Sequence, residues 1–265
     1  MIQNVVVTGK SGAGKQPRID VLISELGLTQ VSTGNIFRHF LSLYKKLNTG
    51  LDLESIWDSA KSEFISDEAI SNLLKPFCDE KNVDVSESVL GAKATRFVDA
   101  GLFVPDSITN ALFKAEFIKN NSRNMILDGY PRTVDQSAFL LNLCKENGVK
   151  IDFIMLVDNE DEAIIKRTTG RRICRQCGKV FHIEFKPPRD GKFCTSCGDE
   201  VIQRSDDTVE KIRTRLNEFQ NKTLGAIDVL LSSGVRQVVV PGNLPVFTDE
   251  AVKESVMTKI TEFLG

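Results

Sequence analysis

This 265-residue chain contains no apolar run long enough to cross a bilayer, which excludes a transmembrane helix. It carries no marked excess of either charge. Its 34 basic and 36 acidic side chains leave a net −2, which argues against a general nucleic-acid or membrane binder. Aromatic residues make up only 7 %, too few to suggest a series of base-stacking platforms. No internal repeat and no low-complexity tract is present. Nor is there a signal peptide at the N-terminus, where Met1 leads directly into a strand-like apolar run, so a cytoplasmic location is expected. The hydrophobic content of 41 % is enough for a core, and the length suits one large domain or one core with inserted modules.

What is present starts at Gly9. Residues 9–15 read Gly-Lys-Ser-Gly-Ala-Gly-Lys, directly after Val5-Val6-Val7. Strand, glycine-rich turn and helix in this order form the pattern of a phosphate-holding P-loop. The glycines let the backbone of Gly12, Ala13 and Gly14 wrap with its N–H groups pointing inward. Lys15 adds a mobile positive charge, and a helix starting at about Pro17 adds its dipole. The implied ligand is a nucleoside triphosphate. One absence is local: the Ser or Thr that usually follows the lysine is missing, and Gln16-Pro17 stands in its place.

Short apolar runs at Val5–Val7, Met125–Leu127, Phe153–Val157 and Val238–Val240, with a weaker one near Gln30–Ser32, predict strands. Helical patterns separate them. Asp249 to Leu264 repeats apolar pairs every four residues, and Asp207 to Ser232 places Val209, Ile212, Leu216, Phe219, Ile227, Leu230 and Leu231 at helix spacing. Alternating strands and helices predict an α/β fold with a parallel sheet covered on both faces. Ligands on such sheets bind at the carboxyl ends of strands, the edge that would carry the P-loop, Asp128 and Pro241-Gly242. Two stretches depart from the alternation. Residues 39–88 read as helical and amphipathic in patches, with Trp57, Phe64, Leu73, Leu74 and Phe77. Residues 171–205 are rich in cysteine, glycine and proline.

That second stretch holds Cys174-x2-Cys177 and Cys194-x2-Cys197, two knuckles each followed by a glycine, Gly178 and Gly198. Four thiolates suit tetrahedral zinc, and a closed four-ligand site is structural. Zinc spacing also favours a reducing compartment over disulfides. Cys78 and Cys144 read as core or half-buried residues, and His182 as packing or facing a nucleotide. Residues 166–204 carry ten basic and four acidic side chains, so the module attracts polyanions. A zinc ribbon alone suggests nucleic acid; the P-loop favours a triphosphate.

Further motifs give the chain a resemblance to the adenylate kinases, in their bacterial form with a zinc-bearing lid. These are Ser32-Thr33-Gly34-Asn35-Ile36-Phe37-Arg38, Gly101-Leu102-Phe103-Val104-Pro105-Asp106, Leu127-Asp128-Gly129-Tyr130-Pro131-Arg132-Thr133 with Gln136, Arg167-x3-Arg171-Arg172, Arg204-x-Asp206-Asp207, and Arg215. The resemblance covers nearly all of the chain except roughly residues 40–88. It implies a five-stranded P-loop core (1–32, 105–169 and 208–265), an arm for the nucleoside monophosphate (33–104) with a helical insertion at about 40–88, and a zinc lid (170–207). It also implies the reaction ATP + AMP = 2 ADP with magnesium. Lys15 would follow the β- and γ-phosphates, Arg38 and Arg132 would hold the AMP phosphate, and Arg171, Arg204 and Arg215 would meet the transferring phosphate. Arg167 would stack on the ATP adenine, and Asp128 would hold magnesium through water. Gly12 to Pro17, Val180, Phe181 and Leu244 complete the ATP set, the last three largely through backbone. Thr33, Leu102, Phe103, Val104, Gly129, Tyr130, Pro131 and Gln136 complete the AMP set. Gln136 offers donor and acceptor to the adenine edge, and Thr33 favours AMP over pyrimidine nucleotides.

Three departures from the family pattern leave alternatives open. Gln16-Pro17 replaces Gly-Thr, removing a hydroxyl and an N–H; a hydrogen bond to a charged group contributes roughly 1.5–3 kcal/mol. Gln16 or Ser11 is a candidate to compensate. Otherwise the protein is a nucleotide-binding regulator with weakened catalysis, or a monophosphate kinase of other base preference. Asn35 stands where the family has aspartate. The insertion either widens the arm, contacts a partner, or is a solvent-facing elaboration. The expected partners are ATP and AMP, without nucleic acid or membrane, on a monomer.

Overall fold

The computed structural model describes residues 2–204, 207–246 and 248–265. In chain order the elements are β1 (Asn4–Thr8), α1 (Lys15–Leu26), β2 (Thr29–Ser32), α2 (Thr33–Leu47), β3 (Trp57–Asp58), β4 (Glu63–Phe64), α3 (Asp67–Lys81) and α4 (Val85–Asp99). They continue with α5 (Asp106–Lys119), β5 (Met125–Asp128), α6 (Val134–Glu146), β6 (Phe153–Asp158), α7 (Asp161–Thr169), β7 (Arg171–Cys174), β8 (Val180–His182) and β9 (Val201–Ile202). The chain ends with α8 (Val209–Glu218), α9 (Leu224–Ser232), β10 (Arg236–Pro241) and α10 (Asp249–Leu264).

Five parallel strands form the central sheet in the order β10-β6-β1-β5-β2, with Val5 beside Ile126 on one side and Phe153 on the other. Because side chains alternate across a strand, the central strands β1, β5 and β6 each feed two cores. Val6, Met125, Leu127 and Ile154 face a cluster with Phe40, Leu112, Phe113 and Leu140. Val5, Val7, Ile126, Phe153, Met155 and Val157 face Ile19, Leu22, Ile212, Val256 and Ile260 on the opposite side. Asn4, at the start of β1, is polar and buried. Its amide donates to Ser122 O (3.0 Å) and Lys150 O (3.3 Å) and accepts from Met125 N (3.2 Å), so the buried group is satisfied.

Three expectations change. α1 starts at Lys15, two residues before Pro17, which sits in the first turn, where a missing N–H leaves no gap in the ladder. The helical pattern of residues 207–232 is divided: a π turn, Phe219–Thr223, joins α8 to α9. The insertion is not wholly helical. Trp57 and Phe64 lie opposite each other in the two-residue strands β3 and β4, and both rings pack edge-on against Phe97 of α4. Arg96 lies over the Trp57 ring, 4.1 Å from its centroid, and bonds Glu54 at 2.9 Å. Of the amphipathic set, Leu74 is buried while Leu73 is exposed. The insertion has its own core of Ile56, Ile70, Leu74 and Cys78, shared with Tyr44 and Leu47 of α2 and Val89 and Ala92 of α4. Gly91 sits at the crossing of α2 and α4, where a β-carbon would collide with the Phe40 carbonyl. Among the described residues, no helix is long and apolar enough to cross a membrane.

Candidate active site

The glycine-rich loop follows β1 at the carboxyl edge of the sheet. Gly9, Gly12 and Gly14 have φ of +142°, +86° and +101°, conformations that L side chains rarely adopt. A β-carbon on Gly14 would lie 2.9 Å from Gly242 O and 3.0 Å from an Arg167 nitrogen, so the loop, the turn after β10 and α7 converge there. Lys10 anchors the loop through Asp161 (2.6 Å) and Asn159 O (3.2 Å). Lys15 folds back onto Gly9 O (2.9 Å) and Lys10 O (3.2 Å). Burial pulls its pKa from 10.5 down to about 8; Asp128 opposes that change, and Arg132 and Arg167 reinforce it. A cation so placed gains from the arrival of phosphate.

Arg18 is a site-adjacent residue the sequence reading missed. Its side chain is fully buried. It donates to Pro241 O (2.7 Å) and Gly14 O (3.4 Å), tying the loop to the turn after β10. Burial, with repulsion from Arg167, lowers its pKa to about 10. The available signal was its place on the buried stripe of α1, four residues before Leu22.

Asp128 ends β5, and its Oδ2 accepts from Gln30 Nε2 (3.0 Å). The next residue, Gly129, has φ +75°, and a β-carbon there would lie 2.8 Å from both an Arg132 nitrogen and Thr33 Oγ1. Thr33 Oγ1 donates to Gly129 O (3.2 Å), and Arg132 Nε donates to the same carbonyl (2.8 Å). Tyr130, before a cis Pro131, is buried and stacked on Phe113 at 3.8 Å, its hydroxyl donating to Asn110 Oδ1 (2.7 Å). Burial drives its pKa upward. Gln136 is already committed at both ends: Nε2 donates to Asp106 (2.7 Å) and Oε1 accepts from Arg132 N (2.8 Å). In this state it braces the loop. Arg38 is exposed and bonds Asn35 Oδ1. Leu102 and Phe103 are exposed and Val104 half-buried. The ammonium of Lys222, in the π turn, lies 5.0 Å from the Phe103 ring centroid.

On the other flank, Arg167 reaches Gly242 O (3.2 Å) and Gly12 O, and its pKa is lowered by burial and by Arg171. Arg171 grips the fully buried Asp207 with a two-pronged contact of 2.9 and 2.6 Å. Arg204 is exposed and Arg215 half-buried in the last turn of α8, and each makes interactions of its own. Asp206 lies outside the described residues. Val180 is exposed in β8. Phe181 is buried with Cys174, Cys194 and Val201, so any nucleotide contact from it is through backbone. Leu244 is half-buried just beyond Gly242. The structure thus gathers Lys15, Asp128, Arg132 and Arg167 on one edge.

The four cysteine Sγ atoms all lie within 4.8 Å of one another, so they could hold a metal ion. Gly178 N and Gly198 N donate to Cys174 O (3.1 Å) and Cys194 O (3.0 Å), closing both knuckle turns, with φ of +72° and +79°. Desolvation opposes ionisation of Cys194, but the Cys197 and Ser196 N–H groups outweigh it and lower the thiol's pKa. His182 is not in the cluster. It stacks on Phe185 at 4.5 Å, and its Nδ1 accepts from Glu184 N and Phe185 N.

The sequence profile of the family described as adenylate kinase matches residues 80–235. An adenylate kinase of Symbiobacterium thermophilum is 31 % identical over 237 residues, covering 89 % of this chain and 90 % of the relative. One from Desulforamulus reducens is 30 % identical over 233 residues, covering 88 % and 89 %. One from Bacillus cereus is 28 % identical over 237 residues, covering 89 % and 90 %. With motifs, sheet and sequence relatives in agreement, the chain belongs to the adenylate kinase family.

Proposed function

We propose that the protein transfers a phosphoryl group between nucleotides, ATP + AMP = 2 ADP, at the edge where Lys15, Asp128, Arg132 and Arg167 meet. The observation that carries this reading is their shared neighbourhood at a glycine-rich loop whose positive φ values only glycine takes up readily. Phosphoryl transfer requires positioning and charge neutralisation, with no dedicated general base because the attacking group is a phosphate oxygen. The loop N–H groups of Gly12, Ala13 and Gly14, the backbone N–H of Gln16 in the first turn of α1, where Pro17 adds no donor, and the Lys15 ammonium take the β- and γ-phosphates. Arg132 and Arg38 take the AMP phosphate. Thr33, Leu102, Phe103, Val104, Gly129, Tyr130 and Pro131 border the AMP base and ribose, and Gln136 joins them once it leaves Asp106. Arg167 flanks the ATP adenine with backbone from Val180, Phe181 and Leu244. Arg171, Arg204 and Arg215 arrive on closure, which also excludes water.

Asp128 offers a hard carboxylate oxygen beside Lys15, the donor type that suits hydrated magnesium. Magnesium bound with ATP neutralises charge on the phosphates. Zinc fits the cysteine cluster: a tetrahedron with Zn–S near 2.3 Å has sulfurs about 3.8 Å apart, and the observed pairs Cys174–Cys197 and Cys177–Cys194 are 3.3 and 3.6 Å apart. In this reading residues 33–104 form the AMP arm, 170–207 the lid, and the rest the core of a cytoplasmic monomer.

ADP formation from ATP and AMP, with CMP, UMP and GMP as rival acceptors and Lys15→Ala as control, tests the reading. Turnover strongest with AMP and lost in the variant is the expected result. Folded, zinc-loaded protein that turns over no acceptor would instead be a nucleotide-binding regulator.

A further inference from the structure

Pro17 occupies the position where a hydroxyl and an N–H are absent, and the structure places an unusual side-chain chain beside it. Gln16, exposed at the start of α1, reaches Gln30 on the edge strand β2. The two amides pair reciprocally: Gln16 Nε2 donates to Gln30 Oε1 (3.1 Å) and Gln30 Nε2 donates to Gln16 Oε1 (3.2 Å). Each NH2 has a second hydrogen, and each is used on a carboxylate. Gln16 donates to Asp20 Oδ1 (2.9 Å) and Gln30 to Asp128 Oδ2 (3.0 Å). The carboxylates fix the orientation of both amides. An ionised carboxylate only accepts, so the nitrogen of each amide must face its acid, which leaves the two oxygens to accept across the pair. Four residues from α1, β2 and β5 therefore form one continuous chain that ends on Asp128.

We propose that Gln16 and Gln30 are positioning residues for Asp128, holding its carboxylate toward hydrated magnesium in place of the contact that Pro17 removes. This rests on the reading of Asp128 as the residue that serves the magnesium of ATP. The chemistry favours the assignment. Gln30 holds one carboxylate oxygen of Asp128 and fixes its rotamer, which turns the other oxygen toward metal-bound water. Hydrogen bonds to ligating carboxylates orient them, and losing such partners lowers metal affinity by about 10- to 100-fold. Gln16 stiffens Gln30 from the far side and ties the relay to the same first turn that lacks the hydroxyl.

The test compares wild type with Gln30→Leu and Gln16→Leu. Calorimetry would measure ATP affinity in the presence of magnesium and in the presence of EDTA, and manganese titration followed by electron paramagnetic resonance would measure metal affinity of the ATP complex. Both variants are expected to weaken metal affinity by about 10-fold, while metal-free ATP affinity falls by clearly less, because Gln16 meets phosphate through its backbone N–H, which leucine keeps. Pro17→Thr in the Gln30→Leu background is expected to restore metal affinity, a rescue that general loosening would not give. Unchanged metal affinity in both leucine variants, or an equal loss of ATP affinity with EDTA present, overturns the proposal. Failure of the underlying reading looks different: Asp128→Asn would leave the metal affinity of the wild-type ATP complex unaffected.

Discussion

Replacing Lys15 by methionine should stabilise the ligand-free protein near neutral pH while abolishing its grip on ATP. The ammonium's pKa falls from 10.5 to about 8, burial being the main cause. At about 1.36 kcal/mol per pH unit, that is a bias of about 3 kcal/mol toward the neutral amine. Against it stand two hydrogen bonds, to Gly9 O and Lys10 O, each contributing about 1 kcal/mol net. A methionine side chain would keep the stem and lose both terms, so at pH 6.5 the Lys15→Met protein should be more stable by about 1 kcal/mol. The sign then reverses. Between the folded pKa of about 8 and the unfolded value of 10.5, the unfolded chain binds more protons, so wild-type stability rises with pH. The variant lacks this contribution. By about pH 9.5 wild type should have gained about 2 kcal/mol and overtaken it. Urea denaturation of both proteins across this range gives the difference directly, because all other titrations cancel. A difference that stays constant with pH, or a wild type that weakens relative to the variant as pH rises, would refute the argument. The implication is that the loop holds its lysine at a disadvantage that phosphate removes.

Arg171→Leu strands the buried carboxylate of Asp207. Since one partner of a buried pair is worth about 3–5 kcal/mol, and Arg171 is partly exposed, a loss of about 2–3 kcal/mol is expected. It should show as faster proteolysis around the β7–β9 sheet and be relieved by adding Asp207→Asn; no change in cleavage rate would count against the ion pair. Gly91→Ala should gain about 1 kcal/mol of helix propensity and lose more to the Phe40 carbonyl, for a net destabilisation of about 1–2 kcal/mol in thermal melts. A more stable Gly91→Ala protein would mean the α2–α4 crossing is loose. Stripping metal with a strong chelator should release about one zinc per chain and unfold the cysteine module, to which a structural zinc can supply on the order of 10 kcal/mol. Far-ultraviolet dichroism should show the parallel sheet intact. Purified protein without zinc and with a protease-resistant module would contradict the assignment.

Four of the five sheet strands were legible in the sequence because a buried parallel strand is a short unbroken apolar run, whereas β2, Thr-Gln-Val-Ser with Val31 alone buried, gave a weaker signal. α10 was legible to the residue because its four-residue repeat has no rival. The π turn at Phe219–Thr223 was not, since one extra residue per turn leaves apolar spacing almost unchanged. The hairpin of Trp57 and Phe64 was hidden because two-residue strands have no period. In the candidate site, motifs singled out the glycine loop, Lys15, Asp128, Arg132 and Arg167, which the fold brings to one edge. Arg18 was not, because its acceptor, Pro241 O, lies 223 residues away. Nor was the engagement of Gln136 by Asp106 and Arg132, which depends on how a cis-proline turn meets α5. The Gln16–Gln30 pair joins two residues that only the packing of α1 against β2 brings into reach.

The insertion has an optical consequence. Trp57 is the only tryptophan in the chain, and its indole is held between Phe64, Phe97 and the Arg96 guanidinium. The carbonyl of Phe97 accepts from Leu102 N (2.8 Å), one residue before the exposed Phe103. The protein therefore carries a native fluorophore one hydrogen bond from the loop that would meet AMP. Emission from Trp57 should shift when AMP is added and stay constant with ATP alone. That would give a label-free signal from one arm of the molecule; an AMP-insensitive spectrum would show that the loop moves without its anchor.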